Sequence, residues 1–419
     1  MKQRIRALWS NEFFKGGVFF TSASMAINII NYVFNLLAGR SLGTAGYGDI
    51  TALFSYMTIT TVPALILSTI IVQKVSGSKN KSSYTLAIED YIWSNVRKWW
   101  FLIVPILFVI PWIPQWTNLS KLSSLWLIPL ILLTLTSSLY ASYLQGLKLF
   151  AFFSLMSLVG AVIKLAGAGL AYAGIGGGLS VIGCLALSLA LTSIVSLWYM
   201  RRHIHSSHGK IFVPFKTPLL RFFTSKQFLI TFGSLLAITL LNNLDVVVVK
   251  KFLSPHDAGI YASWSLFAKI IFYFVGPITT ITFVLFSGGG SKHEQKKAFI
   301  IYTSVLAVIG ICGYIFYTYF APQVIAVFFG DAFDDVAAHI GSAAIFGTLY
   351  AMIYFINSYF IAKNNSASLI LLIGIPFYAF FLFTSARTIG SITIIDNIFA
   401  LIMVILYIIT YIWQQIKTS

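Results

Sequence analysis

Residues 397–413, with the sequence NIFALIMVILYIITYIW, form a continuous apolar stretch without a charged side chain. A helix rises about 1.5 Å per residue, so a stretch of this length approaches the roughly 30 Å thickness of the hydrocarbon core of a membrane. Longer stretches of the same kind occupy residues 17–38 and 50–72. These stretches predict helices that span a membrane.

The composition of the whole chain is that of an integral membrane protein. Of its 419 residues, 58% are hydrophobic and only 9% are charged, and the mean hydropathy is +0.88. A soluble domain carries about 25% charged residues. The sequence therefore predicts an all-α polytopic membrane protein with about twelve transmembrane helices. Their approximate bounds are 17–38, 50–73, 99–118, 122–145, 150–173, 177–199, 227–249, 258–287, 298–320, 336–361, 366–384 and 392–413.

The basic residues set the predicted orientation in the membrane. The chain carries 28 Lys and Arg against 11 Asp and Glu, a formal charge of +17. With the amino terminus inside the cell, most of the basic residues fall in cytoplasmic segments, as the positive-inside rule requires. We therefore expect a multi-pass protein of the cytoplasmic membrane with both termini in the cytoplasm. Its basic loops suit anionic membrane lipid rather than nucleic acid.

Two hydrophilic stretches, 74–98 and 200–226, are basic and too short to form a soluble catalytic domain. The second stretch divides the chain almost in half. It predicts an N-lobe of six helices over residues 1–200, a basic cytoplasmic linker over 201–226 and a C-lobe of six helices over 227–419.

The two halves of the chain contain an internal repeat. Each copy reads as a helix, a basic exit, a glycine-containing turn and a second helix that carries a proline. Because each lobe has an even number of helices, the copies are parallel repeats about an axis along the membrane normal, which suits transport by alternating access. Alternatively, the repeat is only a relic of duplication in an inert scaffold. The matching positions are Asn31, Arg40, Leu42, Ala45, Gly46, Leu53 and Phe54 in the first half and Asn242, Lys251, Leu253, Ala258, Gly259, Leu266 and Phe267 in the second.

Polar side chains recur on one face of the first predicted helix and of its repeat mate. Asn28, Asn31 and Asn35 are spaced by three and four residues, which places them on one side of a helix. Asn242 and Asp245 lie on the seventh predicted helix. Polar groups in hydrocarbon need partners or water. These residues therefore line a wet cavity or, alternatively, form hydrogen bonds between helices.

Basic residues outnumber acidic ones at membrane depth. Lys164 and Lys269 lie near the middle of the fifth and eighth predicted helices. Arg40 and Lys251 lie at the outer ends of the first and seventh. The excess of positive charge favours an anionic ligand, such as the phosphate or diphosphate of a lipid. The alternatives are snorkelling, anchoring at the interface, or an ion pair between Lys269 and Asp245.

Motifs for other chemistry are missing from the sequence. It contains no G-x-x-x-x-G-K-[ST] phosphate loop, no H-E-x-x-H zinc motif and no G-x-S-x-G nucleophile elbow. Cys184 and Cys312 are isolated within apolar segments, which favours neither a disulfide nor a metal site. We expect a protein that is not an enzyme and that uses no cofactor or metal.

The segment 40–48, with the sequence RSLGTAGYG, resembles the R-x-L-G-P-x-x-Y-G signature that follows the first helix of oligosaccharide flippases in the MOP superfamily. The segment 251–261, KFLSPHDAGIY, is similar to the counterpart of that signature in the second lobe of the family. Thr44 replaces the usual proline in the first copy, whereas Pro255 is retained in the second. Together with the twelve-helix plan, the resemblance extends over essentially the whole chain.

The resemblance implies a MATE-like fold of two pseudo-symmetric six-helix lobes around a central cavity. It implies movement of polyprenyl-diphosphate-linked oligosaccharides across the membrane for cell-surface polysaccharide assembly, alongside glycan polymerase and glycosyltransferase proteins. In that role Lys269, with Arg40 or Lys251, would hold the diphosphate, and Lys164 is a further candidate. The proposed contacts to sugars or water are Asn28, Asn31, Asn35 and Asn242.

Two other functions remain open on the sequence. A cation-coupled multidrug exporter of the same superfamily would depend on carboxylates within the membrane, of which Asp245 is the best candidate. A non-transporting scaffold for glycan-assembly enzymes would recruit partners without moving a substrate. The sequence specifies no coupling ion.

Overall fold

The computed structural model describes residues 12–78, 80–102, 105, 112–206, 226–284, 286, 292–385 and 387–418. These residues are almost entirely helical and contain no β-strand, so the predicted all-α architecture is confirmed. The α-helices, numbered in chain order, are α1 Glu12–Thr60, α2 Val62–Gly77, α3 Lys81–Trp99, α4 Ile113–Thr117, α5 Lys121–Gly146, α6 Phe150–Tyr172, α7 Gly178–Ser206, α8 Lys226–Leu241, α9 Leu244–Phe252, α10 Pro255–Val284, α11 Lys292–Tyr319, α12 Ala321–Phe328, α13 Ile340–Ala362, α14 Ile370–Ser385 and α15 Ile389–Thr418.

Long apolar helices dominate the chain, as predicted. Within the part that the structure describes, nine helical segments are long and apolar enough to cross a membrane, from Ser22–Thr60 in α1 to Ile389–Ile416 in α15, and one of them, Phe228–Phe252, comprises α8 and α9. The helix Val62–Gly77 is apolar but shorter. The middle of the predicted third span, 99–118, lies outside the described residues. The prediction of a polytopic membrane protein is confirmed.

The seventh predicted span, 227–249, is not one continuous helix. It is interrupted at Asn242 and Asn243, between α8 and α9. The Asn243 amide donates a hydrogen bond to the Thr239 carbonyl at 2.9 Å, and such local side-chain bonds compete with helical backbone bonds. The second predicted span also contains a break, at Thr61 between α1 and α2.

Contacts divide the chain into two units, of which unit 1 comprises Met1–Leu42 and Thr60–Thr217. Within unit 1, α6 and α7 pack closely along a row of small residues. A Cβ added to Gly167 of α6 would lie only 2.7 Å from the Cβ of Cys184. Small residues allow membrane helices to approach each other in this way. Cys184 therefore lies in the packing between α6 and α7.

Unit 2 comprises Gly43–Ile59 and Pro218–Ser419. Its core forms where α10 packs against α13. A Cβ added to Gly347 of α13 would lie 2.2 Å from the carbonyl oxygen of Ala268 in α10, so these helices touch through their backbones. Trp264 is fully buried beside this contact on α10.

The segment Gly43–Ile59 belongs to unit 2, although the chain on both sides of it belongs to unit 1. The helix α1 changes direction where this segment begins, because Gly43 has φ 65° and ψ −177°. Glycine adopts this left-handed region without a steric penalty from a Cβ. Nothing in the sequence indicated a separation at this position. Of the predicted linker, residues 207–225 lie outside the described part of the chain.

Within unit 2, the segment Gly43–Ile59 makes close contact with the beginning of α10. A Cβ on Gly48 would lie 2.7 Å from the backbone nitrogen of Gly259, and a Cβ on Gly259 would lie 2.0 Å from the carbonyl oxygen of Thr44. Tyr47 is buried in edge contact with Phe329 at a centroid distance of 5.3 Å. The two repeated sequence motifs therefore meet inside one unit.

Candidate binding cavity and buried carboxyl cluster

Unit 1 contains a cavity of about 260 Å³ that is lined by α1, α5, α6 and α7. Each helix contributes a polar residue to the lining, namely Asn31 of α1, Ser137 of α5, Lys164 of α6 and Thr192 of α7. Asn31 and Lys164, which were predicted as separate candidates, meet in this cavity. The cavity is therefore our candidate site for substrate.

Two contacts orient the Lys164 side chain in the cavity. Its Nζ donates a hydrogen bond to Oδ1 of Asn31 at 3.2 Å and lies 4.2 Å from the ring centroid of Phe34. A cation over an aromatic face is stabilised by the ring quadrupole, by about 0.5–2 kcal/mol. Neither Asn31 nor Phe34 carries a negative charge, so these two contacts orient the ammonium group.

Lys164 is the one charged residue among the described residues that line the cavity, and hydroxyl groups surround it. Ser157 donates its hydroxyl proton to the Phe153 carbonyl at 2.9 Å. Thr192 donates likewise to the Ser188 carbonyl at 2.7 Å. The lone pairs of such hydroxyl oxygens can still accept hydrogen bonds. The hydroxyl residues of the lining are Ser137, Ser157, Ser188, Thr192 and Ser196.

The other candidates predicted for the first lobe do not line this cavity. Asn35 donates from its amide to the backbone carbonyl of Asn31 at 2.8 Å, within α1. Asn28 is exposed. Arg40 is also exposed. Lys251, a candidate of the second lobe, is half-buried on α9 of unit 2. The structure thus brings together only Asn31 and Lys164 of the predicted set in unit 1.

Unit 2 contains a second candidate site, a buried cluster of Asp245 on α9, Tyr261 on α10, Tyr378 on α14 and Asp396 on α15. The Tyr261 hydroxyl oxygen lies 2.6 Å from Oδ2 of Asp245 and 2.5 Å from Oδ2 of Asp396. Tyr378 donates to Oδ1 of Asp396 at 2.7 Å. Carboxyl groups inside a membrane are expensive and mark functional sites by default.

Lys269 and Asn242 also lie in unit 2, near the predicted acidic residue. Lys269 interacts electrostatically with Asp245, a pairing that the sequence left open beside a role in phosphate binding. Asn242 is half-buried, and its Oδ1 is buried without a hydrogen-bond partner among the described residues.

Asp396 and the two tyrosines of the cluster were not predicted from the sequence. A signal for Asp396 existed, because it is the single carboxylate in the predicted span 392–413. Tyr378 carried no such signal, because the chain has 21 tyrosines. Tyr261 is the last residue of the motif 251–261, but the motif did not indicate its contact with Asp396, which is 135 positions away.

A buried ion pair in unit 2 was also not predicted. Nζ of Lys250 on α9 lies 3.1 Å from Oδ1 of Asp49, and the two side chains are only 7% and 10% exposed. The neighbouring Lys251, which was predicted to bind phosphate, is half-buried. The pair neutralises two charges that would otherwise be costly to bury.

Comparison with known families gives one match that covers most of the chain. The family model described as "Polysaccharide biosynthesis protein" matches residues 13–288. No curated protein matches the sequence significantly.

Comparison with solved structures shows that this chain shares the fold of MATE transporters. A multidrug resistance MATE family transporter of the MOP superfamily in an inward-facing conformation has a TM-score of 0.64 at 14% identity, over 96% of this chain and 97% of that one. A eukaryotic MATE transporter has a TM-score of 0.63 at 13% identity, over 96% of both chains. A MOP superfamily transporter from Pyrococcus furiosus, described as having a binding pocket of reverse polarity, has a TM-score of 0.57 at 14% identity, over 96% and 95%.

Proposed function

The chain belongs to the polysaccharide biosynthesis protein family, and from this membership we propose that it is a transporter of lipid-linked oligosaccharide. It moves a polyprenyl-diphosphate-linked oligosaccharide from the cytoplasmic to the outer leaflet by alternating access, for cell-surface polysaccharide assembly. Its fold is that of transporters of the MOP superfamily, which supports the transport step.

The observation that carries this proposal is the charge of the unit 1 cavity. Lys164 places an ammonium group among hydroxyls, and no carboxylate occurs among the described lining residues. An ammonium group attracts phosphate oxygens strongly through charge-assisted hydrogen bonds. A diphosphate matches this cavity, whereas an organic cation would be repelled by Lys164.

The hydroxyl lining supports a sugar in the same cavity. Ser157 and Thr192 donate their own protons to backbone carbonyls. Their oxygens therefore act as acceptors, and the hydroxyl groups of a sugar supply the matching donors. Asn31 offers an amide group beside them. The prenyl chain, which has no polar group to satisfy, stays in the bilayer.

The remaining basic candidates act at other stages of the same movement. Arg40 and Lys251 lie at the outer ends of predicted helices and would receive the diphosphate near the outer leaflet. Lys269 lies on α10 of unit 2, where its charge also interacts with Asp245. Glycosyltransferase and polymerase proteins would supply and consume the glycan.

Replacement of Lys164 tests the proposal. We expect Lys164→Ala to slow translocation of a fluorescent lipid-linked glycan about tenfold or more in vesicles, because a charged hydrogen bond contributes about 1.5–3 kcal/mol. Lys164→Arg keeps the charge and should retain more of the rate. Lys121→Ala is the matched control, because Lys121 is exposed at the start of α5 and does not line the cavity. An unchanged rate in folded and inserted Lys164→Ala protein would exclude this site.

A cation-coupled multidrug exporter is the second candidate, because structures of multidrug resistance transporters share this fold. Its requirement for a membrane carboxylate would fall on Asp245. Efflux of a cationic dye by vesicles that fail to move the glycan would favour this function over ours. Recruitment of glycosyltransferases without transport of either compound would instead indicate a scaffold.

A further inference from the structure

The helix α3 is too polar to span a membrane, although it lies between two apolar segments of the chain. Five of its 19 residues are charged. It follows the end of α2 at Gly77 after a short connection, and it ends where the predicted span 99–118 begins. Both of its ends are therefore expected at one surface of the membrane. A helix with this composition and these attachments lies along that surface.

One face of α3 packs against unit 1 and fixes the position of the helix. Ile88 belongs to a buried hydrophobic cluster that also contains Val75 of α2 and Leu144 of α5. Beside this cluster, Nη2 of Arg201 on α7 donates a hydrogen bond to Oε1 of Glu89 at 3.1 Å, and the Glu89 side chain is only 4% exposed. The helix α3 is thus held by α2, α5 and α7.

The apolar face of α3 continues beyond this cluster. Ile92, Val96 and Trp99 follow Ile88 at spacings of four, four and three residues, which keeps them on one side of the helix. Ile88 is buried and Ile92 is half-buried, whereas Val96 and Trp99 are 39% and 49% exposed. Trp100, which follows the helix, is 60% exposed. Tryptophan is typical of the membrane–water interface, so this face continues from the protein into that interface.

Two exposed cations, Arg97 and Lys98, directly precede these tryptophans. Nζ of Lys98 lies 5.4 Å from the ring centroid of Trp99. Nε of Arg97 donates to the Trp93 carbonyl at 3.4 Å, and a guanidinium group has further N–H donors. Among the described residues, no carboxylate forms a salt bridge with Arg97 or Lys98. These cations can therefore bind phosphate oxygens.

We propose that residues 96–100, the α3 tip, bind the headgroups of anionic phospholipids at the membrane surface. Trp99 and Trp100 insert among the headgroups, and Arg97 and Lys98 bind the lipid phosphates. The positive-inside rule predicts that this surface faces the cytoplasm, where anionic lipids give the membrane a negative potential. The sequence indicated only a general attraction of basic loops to such lipids, whereas the geometry assigns one site. This site is separate from the cavity of unit 1.

A fluorescent dye on α3 measures lipid binding. In a full chain without Cys184 and Cys312, the dye is attached to Ser94→Cys, because Ser94 is exposed one turn before Arg97 and Lys98. We expect phosphatidylglycerol titrated into the detergent micelles to shift the emission saturably. Arg97→Gln/Lys98→Gln should raise the half-saturating mole fraction about 25-fold, because each basic residue near an anionic surface contributes about fivefold.

Three variants serve as comparisons in this assay. Arg97→Lys/Lys98→Arg keeps both charges and should bind like wild type. Lys296→Gln/Lys297→Gln removes the same charge from two exposed residues of α11 and should leave the midpoint unchanged. Trp99→Ala/Trp100→Ala keeps the cations and removes the apolar anchor, so it should also weaken binding.

The proposal is overturned if phosphatidylcholine gives the same midpoint as phosphatidylglycerol, or if the Arg97→Gln/Lys98→Gln variant binds like wild type. The same shift with free glycerophosphate would indicate a site for soluble phosphate and would also overturn it. A shift caused by a soluble cell extract but not by phosphatidylglycerol would assign the surface to a protein instead. The assay contains no glycan, so failure of lipid binding is distinguished from failure of transport.

Discussion

Asp49 and Lys250 form the ion pair whose loss should be most costly in unit 2. Their side chains are almost fully buried and their charged atoms are 3.1 Å apart. Removal of one partner leaves the other charge buried and uncompensated, which typically costs about 3–5 kcal/mol. We therefore expect Asp49→Asn to lower the free energy of unfolding by about this amount, measured by denaturation of the purified protein in mild detergent.

The double variant Asp49→Asn/Lys250→Met is the control for this interpretation. It removes both charges, so it should lose less stability than the sum of the two single variants. Strictly additive losses would mean that the two residues contribute independently, and that the ion pair is not the source of the effect.

The candidate site could be predicted from the sequence residue by residue but not as an assembly. Lys164 and Asn31 were both recognised, because a charge and an amide at membrane depth are unusual. Their contact was not, because 133 positions separate them in the chain. The hydrogen bond between Tyr261 and Asp396 was not predicted either, because these residues are 135 positions apart in the chain.

The contact between α6 and α7 provides a matched pair of glycine substitutions on one helix. A Cβ on Gly167 would lie 2.7 Å from the Cβ of Cys184 and 2.8 Å from the Ser180 carbonyl oxygen, whereas a Cβ on Gly169 meets nothing within 4 Å. We expect Gly167→Ala to destabilise the protein by about 1–3 kcal/mol through overpacking. Gly169→Ala should be neutral or stabilising by up to about 1 kcal/mol.

Thermal unfolding of both variants in the same detergent measures this difference. If Gly167→Ala were as stable as Gly169→Ala, then α6 and α7 would not be in close contact at this position. Cysteine chemistry at Cys184 gives a second check, because the added methyl group of Gly167→Ala should alter its access to thiol reagents.

Helices were easier to predict than their interruptions. The length of an apolar stretch follows directly from the thickness of the membrane, so α5 and α6 were predicted to within one residue of their ends, whereas α7 extends to Ser206, beyond its predicted end at 199. The break at Asn242 and Asn243 depends on one amide hydrogen bond to a backbone carbonyl. A pattern of hydropathy does not record such a bond, since asparagine also occurs inside continuous membrane helices.

On the scale of the whole molecule, the repeat predicted two related halves, but it did not predict where the segment Gly43–Ile59 packs. This segment is continuous in sequence with unit 1 and belongs by its contacts to unit 2. The contacts responsible are tertiary. They join Thr44 and Gly48 to Gly259 through backbone atoms, and glycine pairs of this kind have no hydropathy signal.

The orientation of the chain in the membrane can be tested by labelling, because its prediction rests on the distribution of basic residues alone. The positive-inside rule places the acidic segment around Asp334 outside the cell and the basic turn at Lys363 inside. Both residues are exposed. In a variant without Cys184 and Cys312, we expect Asp334→Cys to react with a membrane-impermeant thiol reagent in intact cells. Lys363→Cys should react only after permeabilisation, and the reverse pattern would require both termini to lie outside the cell.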